Sequence, residues 1–251
     1  MQRTICLLGI LVLAGAALAQ GPIGYSVQSN GNDHLYRIDL STGQATDLGL
    51  VGLNDAEGLS FGPGGNLYAI GGTVMEFWNI TTPPGNLVGP TGPRSGIDAG
   101  LGYYNGVMYN MQGDSAGSYL YTINTNTGAA TLVGRGTKFA DNIAILNGIG
   151  YAADFIFDDS LFKVDLATGQ FTLVGPLNIG NVSLQAGTDF YGNTLYSLTS
   201  DGRIFTINTS TGQATFVANV SAGAGWEGLA IVPEPTSLLL LGLAGLLLRR
   251  R

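Results

Sequence analysis

Carboxylates are the one class of side chain in this 251-residue sequence placed for metal or acid–base chemistry. Glu57, Asp141 and Glu227 each stand immediately before a short apolar segment, and Asp98 and Asp189 fall within a few residues of the matching point in two others. Gathered at one place, such oxygens suit calcium, which takes six to eight hard ligands. They also suit general acid–base work on a sugar or lactone. The plainer alternative is that each acid caps a strand end by accepting backbone N–H bonds. A further acidic group, Asp154, Asp158 and Asp159, lacks the spacing of a calcium loop and reads as a solvated loop.

Most other chemistries are excluded. His34 is the single histidine, set beside the polar stretch from Asn30 to Asp33, and reads as an exposed turn residue. A hydroxyl nucleophile needs a base beside it, and no residue is assigned a catalytic role. Gly62-Pro63-Gly64-Gly65 joins two strand-like segments with no lysine or helix following, so it is a turn and not a phosphate loop. Cys6 is the only cysteine and lies in the N-terminal leader. The rest of the chain therefore has no disulfide, cysteine nucleophile or thiolate metal site.

The elements that must position the acids come from an internal repeat. Five segments align on one glycine: YRIDLSTG to Gly43, WNITTPPG to Gly85, YTINTNTG to Gly128, FKVDLATG to Gly169 and FTINTSTG to Gly212. Seven residues before each glycine stands an aromatic (Tyr36, Trp78, Tyr121, Phe162, Phe205). Five before it stands a β-branched residue (Ile38, Ile80, Ile123, Val164, Ile207). Further upstream a tyrosine recurs at Tyr25, Tyr68, Tyr109, Tyr151 and Tyr196. A unit of roughly 40 residues holding four short strands is a propeller blade. The aromatic columns are expected to pack blade against blade. The Asp or Asn at Asp39, Asn124, Asp165 and Asn208 fits a tight hairpin closed by glycine; Pro83 and Pro84 give the second turn another geometry. The first unit lacks an inner strand, and Gly228 to Val232 match it, so a closed ring removes both sheet edges. The repeat resembles the Asp-x-x-Thr-Gly blades of quinoprotein-type and other bacterial propellers, over residues 24–232. That resemblance implies architecture and leaves activity open.

The ends differ from the middle. Arg3, an apolar run from Ile5 to Leu13 and the small-residue pattern Ala17-Leu18-Ala19 make a secretory signal over residues 1–19, with maturation at Gln20. At the other end Pro233-Glu234-Pro235 leads into an apolar stretch from Leu238 to Leu248 and then Arg249, Arg250 and Arg251. That stretch is shorter than the roughly 20 residues of a comfortable span, and its arginines favour a cytoplasmic end. This order resembles the PEP-CTERM sorting signal. The resemblance implies processing by exosortase, transient membrane contact through the tail, and association with extracellular polysaccharide.

Without the two terminal signals the chain keeps 16 acids and 6 bases, a net charge near −10, which repels phosphate backbones and excludes nucleic acid as a partner. The expected protein is all-β: a five-bladed β-propeller over residues 20–232 closed by a C-terminal strand. An N-terminal signal helix and a short C-terminal hydrophobic helix over 233–251 flank it. Its expected place is the cell envelope or extracellular space. There it would bind a glycan, such as extracellular polysaccharide, or an envelope protein, without a cofactor. The alternative is a calcium-dependent hydrolase or lyase acting on sugars or lactones.

Overall fold

The computed structural model describes residues 21–29, 31–72, 74–92, 98–114, 116–180 and 186–233. The signal and tail helices expected at the two ends lie outside the described residues. Among the described residues no helix is long and apolar enough to cross a membrane, and Pro63–Gly65 is a single 3-10 turn, as expected for that glycine-rich link.

Alternating apolar and polar residues, broken every few positions by Gly, Asn, Asp or Pro, give strands of three to eight residues. The first three are β1 (Ile23–Gln28), β2 (His34–Asp39) and β3 (Ala45–Leu50). The second blade holds β4 (Ala56–Phe61), β5 (Leu67–Gly71), β6 (Glu76–Asn79) and β7 (Asn86–Pro90). The third holds β8 (Asp98–Tyr104), β9 (Val107–Asp114), β10 (Gly117–Ile123) and β11 (Ala130–Gly136). The fourth holds β12 (Ala144–Leu146), β13 (Ile149–Asp154), β14 (Ser160–Val164) and β15 (Phe171–Pro176). The fifth holds β16 (Ala186–Tyr191), β17 (Thr194–Thr199), β18 (Arg203–Ile207) and β19 (Ala214–Asn219), and β20 (Trp226–Ile231) ends the chain of strands.

Each blade is a four-stranded antiparallel sheet, and the first has the order β20-β1-β2-β3. The last strand therefore closes the first blade, with Gly24 opposite Ile231 and Gln28 opposite Trp226. The joint is strongly made. Ser26 Oγ donates to Gly228 O at 2.8 Å, Gln28 Nε2 donates to Ala222 O and Ala224 O, and Val232 N donates to Ile23 O. Trp226 is fully buried, edge-on to Tyr36 with ring centroids 5.1 Å apart, and its Nε1 donates to Gly223 O.

Five apolar clusters fill the five seams between blades, and the sequence columns are their two halves. Tyr25 and Ile80 share the seam of blades one and two. Tyr68 and Ile123 share the next, Tyr109 and Val164 the third, Tyr151 and Ile207 the fourth, and Tyr196 and Ile38 the last. Every tyrosine thus faces the following blade and every β-branched residue the preceding one. Each fully buried Ile or Val contributes about 1.5–3 kcal/mol of apolar burial. The outer aromatic column divides, contrary to the uniform blade-to-blade packing expected. Tyr36 and Trp78 join seams, whereas Phe162 and Phe205 meet Phe171 and Phe216 edge-on across their own outer hairpins.

The repeated turn is built as its residues dictate. Asp39 Oδ1 accepts from Ser41 N and Thr42 N, and Asp165 and Asn208 do the same at their turns. Gly43, Gly128, Gly169 and Gly212 all have φ between 71° and 85°, which glycine adopts without cost. Gly85 is absent from that left-handed set, and the Pro83–Pro84 peptide before it is cis. In each blade the outer pair carries a register shift just before the aromatic of the column, for example between Leu161 and Phe162. Such bulges twist the outer edge and discourage edge-to-edge association.

Candidate functional site

The five inner strands, β20, β4, β8, β12 and β16, neighbour one another round the axis. A ring of small residues pinches them together near their amino ends. A Cβ on Gly58 would come within 2.6 Å of Ala99 O, and one on Gly100 within 2.5 Å of Asn142 Cα. One on Gly187 would overlap the backbone of Gly228, and one on Gly228 would stand 2.7 Å from Leu59 N. What space remains at this waist, about 10 Å³, is roughly one water in size. The exception in the ring is Asn142, whose side chain turns into its own blade. Its Nδ2 donates to Ala153 O and its Oδ1 accepts from Ala153 N and Thr188 Oγ1. In three other blades a second-strand side chain satisfies the waist carbonyl: Ser26 for Gly228, Asn110 for Gly100 and Ser197 for Gly187.

On the amino side of the waist the structure brings together four of the five acids singled out in the sequence. Glu227 is pushed up to about 9, first by burial and then by the charges of Glu57, Asp141, Asp98 and Asp55. Asp141 is pushed up to about 7, again first by burial, with Asn142 opposing and Asp98 adding to the rise. Asp141 Oδ1 accepts from Asn142 Nδ2 at 2.9 Å; Oδ2 is buried with no hydrogen-bond partner among the described residues. At neutral pH Glu227 is therefore a protonated carboxyl. Among the described residues no group of three or more histidine, cysteine or carboxylate side chains is placed to hold a metal ion. Asp33, buried under this mouth, anchors the start of β4 by accepting Ala56 N at 2.7 Å.

Asp189 is elsewhere. It lies two residues past the waist glycine of its strand, on the far side, and its oxygens accept Ile231 N at 2.7 Å and Phe190 N at 2.8 Å. Burial pushes it up to about 7 against those two bonds. Of the loop acids expected to be solvated, Asp158 is exposed and Asp159 half-buried, whereas Asp154 departs from that reading. Asp154 is buried and accepts from Ile156 N, Phe157 N and Asp158 N, capping its own loop. Asp159 receives Gly180 N, and Asp158 pairs with Lys138 at 2.6 Å on the surface. His34 opens β2, with Nδ1 2.9 Å from Asp47 on the outer hairpin. Pro233 ends the described chain, and the remaining sorting-signal residues and Ala17, Ala19 and Gln20 lie outside it.

The carboxyl ends of the inner strands open into a second, wider mouth that sequence reasoning missed. This bowl of about 310 Å³ is walled by Phe61, Tyr103, Ile145, Asp189, Phe190 and Ile231, one or two residues from each inner strand. Phe61 is braced edge-on by Tyr25 at 5.7 Å and Phe190 by Tyr151 at 5.5 Å. The three rings each stand three residues past the waist position of their strand, as Ile145 and Ile231 do in the other two blades, so they share one register in the repeat. Only the strand-end positions common to all blades hint at them.

No protein-family model matches the sequence, and no curated protein matches it. Among solved structures, a chain in the crystal structure of a nidogen/laminin complex superposes with a TM-score of 0.56 at 10% identity, over 84% of this chain and 98% of its own. A protein of unknown function from Bacteroides thetaiotaomicron VPI-5482 gives a TM-score of 0.49 at 13% identity over 78% of this chain. TolB from Acinetobacter baumannii gives 0.48 at 17% identity over 85%. This chain spans about half the length of each of these last two, 50% and 55%. Likeness at such identities speaks for the fold alone, and there it agrees with the five sheets and their closing strand: this chain is a five-bladed β-propeller.

Proposed function

We propose that this chain is an exported, non-catalytic binding propeller of the cell envelope or extracellular matrix, holding a glycan or an envelope protein. The observation that carries the reading is the blind channel: the glycine waist shuts the axis, and among the described residues a half-apolar bowl, with Pro233 on its wall, is left open at one end. Pockets of that kind, apolar with a few polar groups, hold ligands. Among the described residues the histidine is tied to Asp47 on the outer hairpin, away from both mouths, which leaves a hydroxyl nucleophile without its usual base. The nidogen/laminin structure is that of a complex, and partner binding by a protein of this fold is the analogy it offers here.

Export and processing belong to the same reading. The leader ending at Ala19 and the Pro233-Glu234-Pro235, apolar and triple-arginine tail support secretion followed by exosortase cleavage. Mass spectrometry of the protein recovered from its producer is expected to show a chain starting at Gln20 and lacking the arginine cluster. Retention on the producer's extracellular polysaccharide or on an envelope protein is the test of binding. Passage through both without retention would end the proposal.

A further inference from the structure

We infer, resting on the binding role just proposed, that the bowl at the carboxyl ends of the inner strands is the binding site and that its ligand is a neutral saccharide. The bowl has a floor, because the glycine waist closes the channel beneath it, so a ligand enters and leaves by one side. Its volume of about 310 Å³ falls at the small end of the range for ligand pockets, roughly 300–1,000 Å³. That is room for a short run of sugar rings and not for a folded partner.

The lining suits sugar chemistry. Phe61, Tyr103 and Phe190 come from three different inner strands and are half-buried. The negative face of an aromatic ring attracts the polarised C–H face of a pyranose. Two of the three rings are held rigid by edge-on neighbours, Tyr25 and Tyr151, and a pre-organised surface loses little freedom on binding. Asp189 supplies the acceptor that sugar hydroxyls need. Each of its oxygens receives one backbone N–H; with burial pushing it up to about 7, the carboxyl keeps spare acceptor capacity for hydroxyl donors and, when protonated, one O–H to donate.

Charge selects among saccharides. The bowl holds one carboxyl and, among its lining residues, no lysine or arginine, on a domain whose net charge is near −10. Uronate polymers, sulfated glycans and phosphates are repelled from such a surface. Neutral chains are not.

The test is titration calorimetry of the purified full-length protein with cellohexaose, maltohexaose and chitohexaose, and with polygalacturonate as the charged control. At least one neutral oligosaccharide should bind, and polygalacturonate should not. Phe190→Leu keeps an apolar neighbour for Tyr151 but removes the ring face, and should weaken binding about tenfold with the melting temperature preserved. Tyr103→Ala should behave alike, while Phe216→Ala, on an outer strand, should leave binding unchanged. Neutral-sugar binding that survives both bowl substitutions overturns the site while leaving a binding propeller. Failure of all three neutral oligosaccharides to bind, with retention on an envelope protein intact, overturns the saccharide and leaves the broader role standing.

Discussion

The two mouths of the channel are made by the same five strands and are chemically opposite. At the amino ends, carboxylates from four blades crowd together until burial and mutual repulsion hold Glu227 and Asp141 above the ordinary carboxylate range. At the carboxyl ends, aromatic rings and a single Asp189 wall an open bowl. The difference comes from how few residues separate them. Three residues along a strand cover about 10 Å and carry a side chain to the opposite face, so Asp189, two past the waist glycine, belongs to a different environment from Glu57 and Glu227, one before it. Position along an inner strand decides role in this molecule, and residue type alone does not.

The largest effect should follow from overfilling the barrier between the mouths. Gly187→Val places a branched side chain into the backbone of Gly228, and a cost above about 4 kcal/mol is expected. Far-UV circular dichroism should show loss of a cooperative melt. If the variant instead folds with near-normal stability, the waist is looser than described and the two mouths are one channel.

A seam substitution comes next, since the seams carry both mouths. Ile38→Ala, in the seam of the first and last blades, should cost about 2–5 kcal/mol by denaturant unfolding. Its partner experiment is Leu173→Ala on an outer strand, where the side chain is 61% exposed and a change within about 0.5 kcal/mol is expected.

The acidic mouth should reveal itself through pH. Glu227 and Asp141 have folded values near 9 and 7, above those of the unfolded chain. Ionising them therefore costs the folded state and not the unfolded one. Their burden is absent below about pH 4, grows as pH rises, and is complete once the folded values are passed. Glu227→Gln should thus raise the melting temperature at pH 8 by roughly 5 °C and leave it nearly unchanged at pH 4. Asp141→Asn should do so more weakly, because its shift is smaller. A Glu227→Gln melt parallel to the parent across that range would show the carboxyl to be ordinary.

The fold was readable because its physics is periodic. A seam needs one large ring from one side and one β-branched residue from the other, so Tyr25 and Ile80 recur as columns, and a hairpin needing positive φ recurs as Gly43 and its equivalents. Closure was readable from the likeness of Gly228-Leu229-Ala230 to Gly58-Leu59-Ser60. The bowl was not, although Phe61, Tyr103, Ile145, Phe190 and Ile231 all stand three residues past the waist, because residue type varies along that column and each member also packs on a seam, where it reads as ordinary core. Nor was the burial of Asp154, because a carboxylate that caps three amides of its own loop has the same sequence signature as one facing water. The waist glycines were visible only as strand beginnings; their purpose depends on backbones from other blades.

The pairing of β20 with β1 sets an order of events for the living cell. Ser26 waits for a carbonyl 202 residues away, so the first blade stays three-stranded, with a bare edge, while the other four are being delivered. During synthesis that unfinished edge must be kept from stray pairing until Trp226 to Ile231 emerge. The first sheet therefore cannot be sealed until residues 226–231 have been made, so the joint closes on a chain that is all but complete.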